Sequence, residues 1–158
     1  MVPPLGEQAA GILMGLATAT AIAGRTLVGW LMPAGSDRRL IACASLVVQI
    51  VGSVILMLAA GSEVVLLITG VLLFGAGIGN TTSLPPLIAQ VEFARADVQR
   101  VVPLIVAIGQ GTYAFAPAAF GALRTLSPTQ ATWVFGAASI VQVLAISAFL
   151  LGRRRRQA

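Results

Sequence analysis

The sequence predicts an all-α, polytopic membrane protein with five transmembrane helices, and three observations carry that reading. Five stretches, residues 9–33, 40–60, 64–91, 101–126 and 131–151, are apolar over a length that crosses a bilayer, since about 20 helical residues at ~1.5 Å rise span ~30 Å of hydrocarbon. The composition is 58% hydrophobic and 9% charged, with a mean hydropathy of +0.95; a soluble domain carries roughly 25% charged residues. The arginines also sort to one side of the five stretches. Residues 1–158 read as one transmembrane domain, because the short connections leave no room for a soluble one and make consecutive spans antiparallel neighbours.

The first span follows MVPPLGEQ, which lacks a basic n-region and carries Pro3 and Pro4; it reads as an extramembrane lead-in, not a secretory signal. Within the span, Gly11 and Gly15 are small residues four apart, a spacing that lets helix backbones approach closely in lipid. Arg25 lies roughly 6 Å past the span's centre, where a charge costs at least ~2.5 kcal/mol unless water or an anion meets it. Two readings stand open for it: binding an anionic solute or gating, against snorkelling or a structural bond to a neighbouring helix end. Thr18 lies seven positions earlier on the same face.

The second span holds the single cysteine, Cys43, which reads as a small packing residue, and one amide, Gln49. In the third, Gly75, Gly77 and Gly79 of GAGIGN mimic part of a dinucleotide fingerprint, but no strand precedes them, and they read as helix-packing glycines. Asn80 and Ser83 share a face there, with Thr81 and Thr82 beside them, and Pro85 and Pro86 are expected to kink or break the helix. The fourth span carries Gln110, Tyr113 and Pro117 at i, i+3 and i+7, an amide and a phenol on one face, together with Gly109, Gly111, Ala114, Ala118 and Gly121. Gln142 is the lone amide of the fifth. Hydrogen bonds to backbone or between helices would equally employ these polar groups, and for Gln49 and Gln142 that is the expected role.

Eight arginines (Arg38, Arg39, Arg95, Arg100 and residues 153–156) flank one side of the spans against Arg124 on the other. The positive-inside rule then places the N-terminus outside and the C-terminus in the cytoplasm, in a cytoplasmic (inner) membrane. Trp30 and Trp133 near opposite membrane faces fit interfacial anchors. A net charge of +5 and a pI near 11.4 are therefore cytoplasmic flanks, whose partners are lipid headgroups, and no nucleic acid is expected. With no histidine and one cysteine, neither His-based catalysis nor a His- or Cys-rich metal site is expected, and nothing points to a cofactor. Glu92 and Asp97 read as solvated loop residues or partners of Arg95 or Arg100.

The segment GRTLVGWLMPAGSDRR, with Gly24, Arg25, Gly29, Asp37, Arg38 and Arg39, resembles the helix-end and loop signature of major facilitator superfamily (MFS) transporters. Pro33 stands where the family's loop aspartate sits, so that aspartate's role is not carried to Asp37. LLFGAGIGNTTSLPPLIA is similar to the family's tenth helix and GQGTYAFAPAAFGAL to its eleventh. The resemblance covers nearly the whole chain and implies helices eight to twelve of a twelve-helix transporter. A C-terminal portion of this kind would move a small solute by alternating access in the intact form and would be inactive alone. The partners it implies are the solute and the missing N-terminal helices. By that resemblance the first, third and fourth spans line the cavity, with Thr18, Arg25, Asn80, Thr81, Ser83, Gln110 and Tyr113 as candidates, and the second and fifth are peripheral. The rival expectation is a non-transporting assembly or regulatory subunit, whose polar face on the fourth span would be buried against a partner.

Overall fold

The computed structural model describes residues 7–33, 35–59, 63–126 and 132–154, and the side chains within them except those of residues 7, 126, 153 and 154. It is all-α. Its helices are α1 (Glu7–Leu31), α2 (Arg38–Ala59), α3 (Val64–Glu92), α4 (Arg95–Leu126) and α5 (Thr132–Arg154). All five are long and apolar enough to cross a membrane. The lead-in prolines, Gly61, Ser62 and the end of the basic tail, Arg155 and Arg156, lie outside the described residues.

The ends of the helices follow local chemistry. Between α1 and α2 the chain turns at Gly35, whose φ of +88° is a left-handed conformation that a side chain disfavours, and the Ser36 amide and hydroxyl both donate to the Pro33 carbonyl. Asp37 then caps α2: its Oδ1 accepts from the amides of Arg39 at 3.0 Å and Leu40 at 3.3 Å, two donors that have no partner inside the helix. Arg38 and Arg39 are consequently the first residues of α2 and not loop residues. The connection from α3 to α4 is shorter than the sequence suggested, because residues 95–100 are helical. Arg95, Ala96, Val98, Gln99 and Arg100 carry no breaker, and the Ala94 carbonyl accepts from the amides of Asp97 and Val98 to start the turn. Pro85 and Pro86 do not end α3, nor Pro103 and Pro117 α4.

Helix α3 is the centre of the packing, with α1 on one side and α2 on the other; α2 also packs on α5, while α4 touches α3 and α5 only sparsely. The glycines of α3 explain the arrangement. Residues four apart share a helix face, whereas residues two apart lie about 200° apart around the axis. Gly75 and Gly79 accordingly meet α1, at Ala17 with Thr20 and at Ala21, and a Cβ built on either would collide with α1 backbone. Gly77 points the other way, where a Cβ would stand 2.6 Å from the Ser45 carbonyl of α2. From the facing side, Gly24 of α1 lies against Ala76, and Gly52 of α2 lies where a Cβ would be 2.6 Å from the Phe74 amide.

Helix α2, expected at the periphery, shares with α3 most of the buried side chains, because Ala42, Ser45, Gly52 and Ser53 let it lie close. Ala42, Leu84 and Ile88 form a small apolar cluster walled by Met32, Ile41, Leu87 and Phe149. Cys43 is buried as a packing residue, as expected. In contrast, Gly11 and Gly15 of α1, Gly29 in the motif segment, and Gly109, Gly111 and Gly121 of α4 have nothing within 4 Å of where a Cβ would stand. The close approach of α1 to α3 falls at residues 17–24, beyond the first two of these glycines.

Candidate functional site

Three polar arrangements sit in or against the bundle. The first is built on Arg25, which leaves α1 about 9 Å inside the helix end at Leu31, at ~1.5 Å per residue. Its side chain crosses to α3, where Nε donates to the Gly79 carbonyl at 3.1 Å and Nη2 donates to Thr82 Oγ1 at 2.9 Å. The Gly79 carbonyl also accepts from the Thr82 hydroxyl at 3.2 Å and the Ser83 hydroxyl at 3.0 Å. Gly79 is a good receiver for a physical reason: without a side chain it brings α3 against Ala21, within reach of a residue one turn further along α1. The arginine is thus tied to the body of a neighbouring helix. The expected bond to a neighbouring helix is present, but it falls within the body of α3 and not at its end. It has no carboxylate partner among the described residues.

The second arrangement is a buried amide chain through α2, α3 and α5. Gln142 Nε2 donates to Gln49 Oε1 at 3.0 Å, Gln49 Nε2 donates to Thr81 Oγ1 at 3.2 Å, and Thr81 donates to the Gly77 carbonyl at 3.2 Å. The structural role expected for the two glutamines is what the bundle shows. Beside them Ser53 Oγ, Ser139 Oγ and Gln142 Oε1 are buried without a hydrogen-bond partner.

The third lies at the end of the bundle where α2 begins and α3 and α5 finish. Arg39 grips Glu92 with two parallel bonds, Nε to Oε1 at 2.7 Å and Nη2 to Oε2 at 2.6 Å, and its Nη1 donates to the Phe149 carbonyl at 3.2 Å. Such fork-to-fork pairing is the strongest geometry available to an arginine and carboxylate. Both side chains are about one-fifth exposed. Gly152 of α5 leaves room for the guanidinium, and Arg38 caps the Leu87 carbonyl of α3. The expected partners of Glu92, Arg95 and Arg100, are therefore not its ion pair: Glu92 is the last residue of α3 and reaches α2 instead.

The candidate cavity residues do not converge on one pocket. Arg25 and Ser83 meet at the Gly79 carbonyl, joined by Thr82. Thr81 faces away from them, toward Gln49. Asn80 is buried and donates to Ala76 in its own helix at 3.4 Å, and Thr18 is exposed and donates to Met14 in its own helix. Gln110 and Tyr113 lie together on the exposed surface of α4, Tyr113 at 67% exposure, and no hydrogen bond joins either to the described residues. Gln110 falls at the middle of α4.

Sequence reasoning missed the Arg39 to Glu92 pair, which spans two helices and leaves no local spacing signal. Gly77, expected with Gly75 and Gly79 to be a packing glycine, is one, and it lies against α2 because three glycines at alternate positions put small residues on both sides of a helix. No group of three or more His, Cys, Asp or Glu able to hold a metal occurs among the described residues.

Fold and polar chemistry together define a multi-pass helical membrane protein. The chain matches no family model, no curated protein and no solved structure.

Proposed function

We propose that these five helices form part of the solute-conducting unit of an MFS-type secondary transporter, working by alternating access in a cytoplasmic (inner) membrane. The N-terminus lies outside and the C-terminus in the cytoplasm. The observation that carries the proposal is the placement of Gln110 and Tyr113. An amide and a phenol at the middle of a membrane-length helix point away from the bundle, and polar groups at that depth are costly against hydrocarbon. Their natural surroundings are an aqueous path or a facing protein wall. The helix-end motif around Arg25 and Asp37 and the segments like the family's tenth and eleventh helices support the family assignment, and the proline-bearing helices α3 and α4 suit a bundle that rocks.

Cysteine accessibility tests it. In a Cys43→Ala background, Gln110→Cys and Tyr113→Cys are placed in native membranes and treated with a membrane-impermeant thiol reagent. Val141→Cys, on an exposed apolar surface of α5, serves as the lipid-facing control. Reaction at both α4 positions and none at the control is the expected result. If neither α4 position reacts, the face is dry and covered, and the non-transporting assembly or regulatory subunit becomes the reading.

A further inference from the structure

Arg25 is the charge set deepest in this bundle. Every other charged residue in the five helices lies at a helix end or, for Arg100, in the second turn of α4. Among the described residues its hydrogen-bond partners are a backbone carbonyl and a threonine hydroxyl, both neutral. A guanidinium has five N–H donors in one plane. One on Nε and one on Nη2 are used, which leaves both protons of Nη1 and the second proton of Nη2 without an acceptor among the described residues. One Nη1 proton and the free Nη2 proton are parallel along the end of the fork, an edge that can engage a carboxylate or phosphate with two parallel bonds. Gly79 and Thr82 hold the opposite edge, so the fork is oriented before anything binds it. Arg25 is itself exposed at the bundle surface, so that edge is reachable.

We propose that Arg25 is an oxyanion-binding residue and that the solute handled by this protein carries a carboxylate or phosphate group, seated on the free Nη1 to Nη2 edge. The proposal rests on the transporter reading and names its substrate class. Thr82 and Ser83 are positioning residues within it. They share the Gly79 carbonyl with Arg25 and fix where the guanidinium sits. Lysine in this place would keep the charge but lose the planar two-donor edge, and glutamine would lose the charge.

The test is binding, read on the purified full chain in a zwitterionic detergent. Inorganic phosphate and succinate are titrated against thermal unfolding and tryptophan fluorescence at constant ionic strength, with chloride as the control anion. Each variant is compared with its own anion-free baseline, since Arg25 also ties α1 to α3 and its loss lowers stability outright. The expected result is a saturable upward shift for the native chain with at least one of the two anions. Arg25→Lys should need at least tenfold more anion, Arg25→Gln should show no shift, and Thr82→Val should show a weakened one. An equal shift in Arg25→Gln, or none in the native chain, overturns the proposal. A parallel arm uses nanodiscs with and without phosphatidylglycerol. An Arg25-dependent shift that appears only with the anionic lipid assigns the edge to a headgroup and overturns the solute assignment. The readout needs no transport, so it is separate from the reactivity of Gln110→Cys and Tyr113→Cys: anion binding without that reactivity would leave Arg25 as an anion site and sink the transporter reading alone.

Discussion

In α3, Gly75 and Gly79 lie against α1 and Gly77 against α2; in α4, Gly109, Gly111 and Gly121 have no neighbouring atom where a side chain would begin. The polar residues divide the same way. Asn80, Thr81, Thr82 and Ser83 all find hydrogen-bond partners, and Gln110 and Tyr113 stand exposed. Two helices of similar composition thus use the same residue types differently, and the difference is position. A glycine on a membrane helix permits a close approach, and a neighbour must be present to take it up. Helix α3 has neighbours on both sides, whereas no described side chain of α4 is buried.

The largest effect is expected where a close approach is filled. Gly79→Leu would drive a side chain into the Ala21 backbone, and because backbone cannot step aside as a flexible side chain can, α1 must separate from α3. A loss of about 3 kcal/mol or more is expected. Thermal unfolding in mild detergent, followed by circular dichroism, measures it. Gly79→Leu unfolding at the native temperature would mean that the α1 to α3 contact contributes little.

Next comes the ion pair. Glu92→Gln removes the charge that Arg39 grips but leaves its bond to Phe149 in place. For a pair about one-fifth exposed, a cost of about 1–3 kcal/mol lies between the values for surface and buried pairs. A double-mutant cycle with Arg39→Met isolates the pairwise part. A coupling energy near zero would make this contact incidental to the joining of α2, α3 and α5.

The five spans were legible because length and hydropathy are properties of a segment alone, and the helix ends fall within three residues of the apolar stretches except at the start of α4. Its start was placed too late because four of residues 95–100 are charged or amide side chains, and hydropathy reports the membrane part of a helix, not the whole of it. The glutamines were legible as protein-facing, since an amide in an otherwise apolar helix has few other solutions. Their pairing with each other was not, nor was the ion pair from Arg39 to Glu92, because both depend on how α2 sits against α3 and α5. Arg25 shows the same limit. Its cost in the membrane could be read from the sequence, whereas its hold on Gly79 and Thr82 required the packing that Gly24, Gly75 and Gly79 create.

The amide chain ranks third. Gln49→Leu should cost about 1 kcal/mol, since hydrogen bonds between membrane helices average below that and a buried Gln142 amide is left unpaired. Gln49→Leu with Gln142→Leu should cost no more than the single change, because both polar groups then leave together. Ser53→Ala, which deletes a buried hydroxyl without a partner, should be neutral or stabilising. The same unfolding assay reads all three, and a large loss in Ser53→Ala would show that its hydroxyl has a partner in the membrane.

Smallest in size, and sharpest for the contrast between α3 and α4, is Gly111→Ala. In an exposed helix interior, alanine is favoured over glycine by about 0.5–1 kcal/mol because it restricts the unfolded chain, and nothing stands within 4 Å of the new Cβ. The purified chain should therefore gain a few tenths of a kcal/mol, seen as a slight rise in unfolding temperature. If α4 instead lies against another segment or subunit in the membrane, the same methyl group meets backbone there, as it would at Gly79. Gly111→Ala would then stabilise the purified chain while weakening the assembled protein, measured by recovery of the larger species from native membranes. That opposition of sign would show that α4 is built like α3 and differs only in where its neighbour comes from. A gain in both settings would mean that its glycines face lipid or water throughout.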